Sequence, residues 1–280
     1  FSHGNVEAFA DRLHGAEITF EFPSVGATEN ILTAAVLADG VTTIVNAARE
    51  PEIIDLCEFL MSMGAQIEGV GTPILRVTGV APGELGGCEH ETVPDRIQAA
   101  TYVGACAVAG GSIDVVNARP GHMEMVLTRF RDMGLVIEPL PYGLRVTAEG
   151  RLRATDVATL PYPGIATDYK PVIVAMLSVA DGVSIVTENL YPGRFRYVEE
   201  LQRLGADIRT TGHHAVVRGV GRLSGAPVKA HDIRAGAAMV VAGLAAEGET
   251  TITGVHHIDR GYDNLVGRLR AIGAEIERLD

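Results

Sequence analysis

Four times along this chain, apolar residues at helical spacing run up to a glycine. Leu56 and Leu60 precede Gly64, Val126 and Phe130 precede Gly134, Tyr197 and Leu201 precede Gly205, and Leu265 and Leu269 precede Gly273. Such a stripe is the buried face of an amphipathic helix, and the glycine after it supplies the left-handed residue on which helices commonly stop. The strings around these stops, "MSMGAQI", "RDMGLVI", "QRLGADI" and "RAIGAEI", are variants of one another. A second series, "LADGVTTI", "VAGGSIDV", "VADGVSIV" and "AAEGETTI", sets Gly40, Gly111, Gly182 and Gly248 between an earlier apolar helix and a β-rich segment. Two glycine series in one register define an internal repeat. The pattern predicts strand, helix, strand, helix and two further strands in each copy, the last pair exemplified by "AQIEGV" and "ILRVTGV". The opening "FSHGNVEAFADRLHGAEITFEF" has no initiating Met and reads as strand-like alternation, so further residues are expected in front of it.

A βαβαββ unit cannot bury two helices and a short sheet alone, so the copies must pack together. The expected fold is α/β, an inside-out barrel with helices at the centre of each lobe and sheets outside. Three units close such a lobe. The four copies divide at the glycine-rich "GVAPGELGGCEH". Residues 1–92 are expected to hold one repeat, the remaining third of an N-terminal lobe, and residues 93–280 a complete second lobe of three repeats.

Composition narrows the class of partner. At 280 residues, 47% hydrophobic and 21% charged, the chain can fill two cores. Its net charge of -12 argues against a nucleic acid or a membrane surface, which favour basic patches, but leaves room for small anions met by a few arginines. No signal peptide opens the sequence, and no apolar run reaches the roughly 18 residues of a membrane span. Cys57, Cys88 and Cys106 are odd in number and widely spaced, which fits a reducing cytoplasm. Cys57 and Cys106 fall inside apolar helical patterns and read as core.

Chemistry gathers at the helix starts. Ser24, Asp95, Asp168 and Asp232 stand where the first helix of each copy begins, and all are good N-caps. "PSVGATEN" offers consecutive backbone N–H groups at a helix start, a ready anion site. "HDIRAG" adds Arg234, a cation that capping does not need and the helix dipole does not favour. Arg49, Arg194 and Arg260 lie on the turns before second helices, the last within "HHIDRGYDN" beside Asp259 and Gly261. These charged corners are expected to face a common anion-binding cleft between two lobes.

Together, "FPSVGATEN", "NAAREPEIID", "VPDRI", "TDYKP", "TENLYPGRF", "HDIRAGAA" and "HHIDRGYDN" resemble the UDP-N-acetylglucosamine 1-carboxyvinyltransferases along essentially the whole chain. The resemblance implies transfer of the enolpyruvyl group from phosphoenolpyruvate to the 3-hydroxyl of UDP-N-acetylglucosamine, in the cytoplasm, with neither metal nor organic cofactor. It implies that Phe22, Pro23, Ser24 and Val25, with the adjoining Gly26, hold the nucleotide-sugar diphosphate, and that Leu190 helps hold the nucleotide sugar. Asp168 is implied as the general base on the sugar hydroxyl and Asp232 as a group handling the proton at the reacting carbon. Arg234 and Arg260 are implied to grip the phosphate or carboxylate of phosphoenolpyruvate. The family's N-terminal lysine–asparagine pair and its mobile loop acid have no counterpart, and no cysteine here stands in the loop acid's context. This chain alone is therefore expected to be inactive, a missing N-terminal segment being needed to complete the first lobe. Phe22, Tyr169 and Lys170 differ from the usual family residues and are expected to bear on acceptor fit. A paralogue acting on another nucleotide such as UMP, or a non-catalytic nucleotide-binding relic, are the alternatives these departures leave open.

Overall fold

Residue 4 and residues 6–279 are described by the structure, a computed structural model that divides into two units, Phe1–Val93 and Pro94–Asp280. All eight repeat glycines adopt the left-handed region, with φ from 87° to 114°, where any other residue would be strained.

In the first unit, β1 (Glu17–Thr19), α1 (Val25–Ala35), β2 (Val41–Val45), α2 (Pro51–Ser62), β3 (Gln66–Glu68) and β4 (Ile74–Thr78) follow the expected βαβαββ order. Their sheet runs β1-β2-β4-β3, parallel only between β1 and β2. The two helices cover it over a core that includes Leu32, Ile44, Ile53, Cys57 and Leu75. Burial, with help from Glu58, pushes the Cys57 thiol up to about 11, so it is an inert packing group. Among the described residues, the strand-like alternation expected over the opening stretch yields β1 but no strand ahead of it. Phe1, Ser2, His3 and Asn5 lie outside the described residues, and residues 6–13 are exposed and unpaired in any sheet. A strand needs a neighbour, and β1 has its ladder with β2 alone.

In the second unit, the second copy supplies α3 (Arg96–Ala109), β5 (Gly111–Val116), α4 (Glu124–Asp132), β6 (Val136–Leu140) and β7 (Gly143–Ala148), with sheet order β5-β7-β6. It lacks the expected leading strand. Pro94, which has no N–H for a ladder, leads directly to the cap of α3. The third copy is complete: β8 (Val157–Ala158), α5 (Lys170–Leu177), β9 (Val183–Thr187), α6 (Tyr197–Arg203), β10 (Asp207–Thr211) and β11 (His214–Arg218), in the order β10-β11-β9-β8. The fourth opens with two short strands, β12 (Leu223–Ser224) and β13 (Pro227–Lys229). It continues with α7 (Ile233–Leu244), β14 (Ala246–Glu247), β15 (Thr251–Thr253), α8 (His256–Asp259) and α9 (Leu265–Ala271). Its expected final strand pair is not formed among the described residues. The equivalent β6 and β10 each pair with the hairpin strand that follows.

The helices α3, α5 and α7 pack on one another at the centre of this unit, with the sheets outside them. Every residue of α5 from Lys170 to Leu177 is buried, the mark of an interior helix rather than one lying on a sheet. This is the inside-out arrangement that the repeat predicts. Close approach depends on small residues: a Cβ on Gly104 in α3 would lie 2.5 Å from Cγ1 of Val172 in α5. The second helices bury their repeated stripes, with Phe130, Leu201 and Leu269 all in the core. Gly104→Ala therefore sets a helix-propensity gain of up to about 1 kcal/mol against overpacking of roughly 1–3 kcal/mol. A lowered midpoint in urea denaturation is the expected result; a variant as stable as the parent would show that α3 and α5 are not in such tight contact.

Candidate functional site

The first helices are not started alike. Ser24 Oγ accepts from the Ala27 N–H at 3.3 Å, Asp95 Oδ1 from Ile97 and Gln98 at 2.8 and 3.0 Å, and Asp232 Oδ1 from Arg234 and Ala235, both at 2.8 Å. Asp168, expected as the fourth cap, does not cap. The chain enters α5 through a tight turn, with Tyr169 N–H donating to Ala166 O at 3.1 Å and Lys170 N–H to Thr167 O at 3.2 Å. Pro171, in the first helical turn, brings no donor to satisfy. The Asp168 carboxylate is thus available to side chains from elsewhere in the unit.

Two arginines take it. Arg194 Nη1 donates to Oδ1 at 2.6 Å, and Arg234 Nε to Oδ2 at 3.1 Å. This accounts for the cation at the start of α7: its guanidinium reaches across to an acid on another copy. Arg234 Nη1 also donates to Tyr262 Oη at 3.4 Å, and Tyr262 Oη lies 2.8 Å from Thr101 Oγ1. Thr101 belongs to the second copy, Asp168 and Arg194 to the third, Arg234 and Tyr262 to the fourth. One hydrogen-bonded chain therefore joins the corners of three repeats.

Burial pushes the Asp168 carboxyl up, but Arg194 and Arg234 outweigh it and hold the group below its ordinary range. For Arg234, burial disfavours the charge, while Tyr262 and Asp168 more than restore it. The Tyr262 phenol is raised, chiefly by burial, against the lowering influence of Thr101 and Arg234. Asp168 is accordingly an anion at neutral pH. A carboxylate has about four lone-pair sites, so two remain for a further donor such as an alcohol.

Behind this layer lies a buried ion pair that the sequence reading missed. Lys170 Nζ sits 2.7 Å from Glu188 Oε2, and both side chains are 0% exposed. Glu188 also accepts from Thr159 Oγ1 at 2.7 Å, Thr167 Oγ1 at 2.6 Å, and the N–H groups of Leu190 and Tyr191 at 2.8 and 3.0 Å. Burial opposes its charge, yet Lys170 and these donors bring its pKa down to about 2. Lys170 donates to Arg194 O at 2.6 Å and lies 3.9 Å from the Phe195 ring centre, and burial lowers its own pKa. Tyr169 is buried too, its hydroxyl accepting from Arg96 Nη1 at 3.3 Å. Both residues, expected to bear on acceptor fit, lie buried in the core behind Asp168. A signal for Glu188 existed in the repeat. Asn46, Asn117 and Gly254 occupy the same register after their turn glycines, with φ of 61°, 64° and 74°, and only the third copy puts an acid there.

The other expected residues are placed as follows. Asp232 is engaged as a cap, two positions before Arg234. Arg260 is exposed between α8 and α9, outside the connected chain, and Asp259 pairs with Arg278 at 2.8 and 2.9 Å rather than bracing it. Leu190 is half-buried, its N–H fixed by Glu188. In the first unit, Phe22, Pro23, Ser24, Val25 and Gly26 form the start of α1. Buried Thr28 braces that start, donating to Ser24 O at 2.8 Å and accepting from the Ala48 N–H at 3.0 Å. Among the described residues no group of three or more His, Cys, Asp or Glu is placed to hold a metal ion, and no helix is long and apolar enough to cross a membrane.

Comparison with known proteins places this geometry in a family. The family described as EPSP synthase (3-phosphoshikimate 1-carboxyvinyltransferase) matches residues 2–269, and the chain belongs to it. It is 54% identical over 278 residues to the UDP-N-acetylglucosamine 1-carboxyvinyltransferase of Mycolicibacterium paratuberculosis, covering 99% of this chain and 66% of that protein. With the protein of the same name from Corynebacterium jeikeium it shares 50% identity over 277 residues, with the same coverage of both chains. The chain thus spans just under two thirds of these relatives' length. Among solved structures, the enolpyruvyl transferase NikO from Streptomyces tendae superposes with a TM-score of 0.86 at 24% identity, over 96% of this chain and 66% of that one. EPSP synthase from Acinetobacter baumannii gives 0.71 at 20% identity, over 96% and 64%. These structures carry the enolpyruvyl transferase fold, and this chain shares it.

A carboxyl held below its ordinary pKa contributes stability that is complete above that ordinary value and is lost as pH falls through the folded value. Asp168→Asn is therefore expected to cost about 1–2 kcal/mol at pH 7. That range takes charged hydrogen bonds at ~1.5–3 kcal/mol and discounts them for a side chain that is 35% exposed. The deficit should shrink on acidification in parallel denaturant titrations. An equal deficit at neutral and acid pH would overturn this account.

Proposed function

We propose that this chain is the greater part of an enolpyruvyl transferase that joins the enolpyruvyl group of phosphoenolpyruvate to the 3-hydroxyl of UDP-N-acetylglucosamine. The observation that carries the reading is the Asp168 carboxylate, ionised between Arg194 and Arg234, in a chain 54% identical to transferases of that name. The reaction needs a base on the acceptor hydroxyl, a proton for the methylene carbon, and cations for the anionic donor. Asp168 has lone pairs to receive the hydroxyl proton. While both arginines hold it, it is a weak base. An anionic donor drawing Arg234 toward itself would raise the carboxylate's basicity at the moment the alcohol attacks.

In the proposed sequence, the acceptor oxygen bonds to C2 of phosphoenolpyruvate as a proton adds to C3. The C2–O bond to phosphate then breaks and C3 gives up a proton, leaving the enolpyruvyl ether and phosphate. Asp232, at the start of α7, is proposed to handle the proton at C3, with Arg234 and Arg260 on the phosphate or carboxylate. Phe22, Pro23, Ser24, Val25 and Gly26 are proposed to meet the diphosphate at the start of α1, where the helix dipole favours an anion, and Leu190 to meet the nucleotide sugar. The product would feed cytoplasmic construction of the cell wall. The relatives' remaining third has no counterpart in these 280 residues, so turnover is proposed to require residues outside them.

Two measurements test this. Calorimetric titration with UDP-N-acetylglucosamine should show saturable binding, weakened at least roughly tenfold in Asp168→Ala, the scale of one lost charge-assisted hydrogen bond. Phosphate release from phosphoenolpyruvate plus the nucleotide sugar should stay at background for the 280-residue chain. Absence of binding would overturn the acceptor assignment; turnover would overturn the requirement for further residues.

A further inference from the structure

Glu188 breaks the repeat where the fold does not need it to. At this register the other copies turn the chain with a left-handed Asn46, Asn117 or Gly254. The third copy instead buries an acid and, opposite it, Lys170. A buried ion pair carries a desolvation penalty that often exceeds its Coulombic gain, so stability is a weak reason for having one. Departures of this kind from a fold's own local rule concentrate where function is built.

The hydrogen bonds show where the pair acts. Thr167 has a single hydroxyl proton, and it goes to Glu188 Oε2 at 2.6 Å. Toward Arg194 Nη1, 3.3 Å away, Thr167 Oγ1 is therefore left with lone pairs only and accepts. The same Nη1 donates to Asp168 Oδ1, so its two hydrogens are divided between the threonine and the acid. Lys170 grips the Arg194 carbonyl at 2.6 Å, fixing the backbone from which that guanidinium extends. The other oxygen, Glu188 Oε1, collects the N–H groups of Leu190 and Tyr191 and so holds the turn carrying Leu190.

We propose that Glu188, charge-balanced by Lys170, is a positioning residue: through Thr167 and the Arg194 backbone it aims the Arg194 guanidinium at Asp168. Neither member of the pair touches substrate. The inference rests on the reading of Asp168 as the group that meets the acceptor, but it concerns this chain's own residues and can be tested without ligand.

The readout is the titration of the Asp168 carboxyl, followed by carbon NMR of the labelled 280-residue chain. Thr167→Val keeps the shape and the buried pair but removes the hydroxyl that joins Glu188 to Arg194. Glu188→Gln keeps the shape and removes the charge. Thr167→Ser restores the hydroxyl, and Leu269→Ala in α9 lowers stability away from the pair. The Asp168 midpoint should rise toward its ordinary value in Thr167→Val and Glu188→Gln, and stay with the parent in Thr167→Ser and Leu269→Ala. If Glu188→Gln fails to fold by circular dichroism, the Thr167 variants decide alone. An unmoved midpoint in Thr167→Val, or an equal rise in Leu269→Ala, would overturn the proposal and leave the pair a packing feature. Loss of UDP-N-acetylglucosamine binding by the parent chain would refute the acceptor assignment without changing this outcome, so the two failures are distinguishable.

Discussion

Mutual burial of α3, α5 and α7 is the constraint on which the second unit depends. Each is apolar nearly all round and can be satisfied only by the other two and by the sheets outside them. Once these helices lie side by side, the residues at and near their starts become neighbours, though they are far apart in sequence. Thr101, Asp168 and Arg234 meet because their helices meet. The polar site is a by-product of apolar packing, and its accuracy is inherited from contacts as close as that between Gly104 and Val172.

On that base the charges are arranged in two tiers. The deeper, Lys170 with Glu188, is shut away from water and satisfied on nearly every side. The shallower, Asp168 with Arg194 and Arg234, is partly open and keeps unused lone pairs. Low dielectric strengthens both tiers, and it also makes an unpaired member costly. A fully bonded inner tier can therefore hold its geometry while the outer one exchanges partners with a ligand.

Much of the fold was legible because it repeats. The eight glycines, the stripes ending at Leu60, Phe130, Leu201 and Leu269, and the helix-inside arrangement all follow from periodicity, which acts locally. The strands at the repeat edges were less legible, since β pairing depends on a neighbour: among the described residues the leading strand of the second copy and the final pair of the fourth are not formed. At the site, sequence brought Asp168 and Arg234 forward separately, each at a helix start; that Asp168 does not cap was not legible, because capping propensity is a property of residue type and the turn at Ala166–Lys170 is not. Lys170 was noticed but its burial was not; its direction is set by Glu188, whose place in the register was readable but unread. Tyr262 and Thr101 gave no signal, their contact being purely tertiary.

The two members of the buried pair do not depend on each other equally. Glu188 has four protein donors besides the lysine, from Thr159, Thr167 and the backbone of Leu190 and Tyr191. Lys170 has no such independence: among the described residues its one other hydrogen bond is to the Arg194 carbonyl, and it lies wholly inside the protein. Loss of the lysine would leave an acid that is still hydrogen-bonded on several sides, whereas loss of the acid would leave a buried ammonium with one carbonyl for a partner.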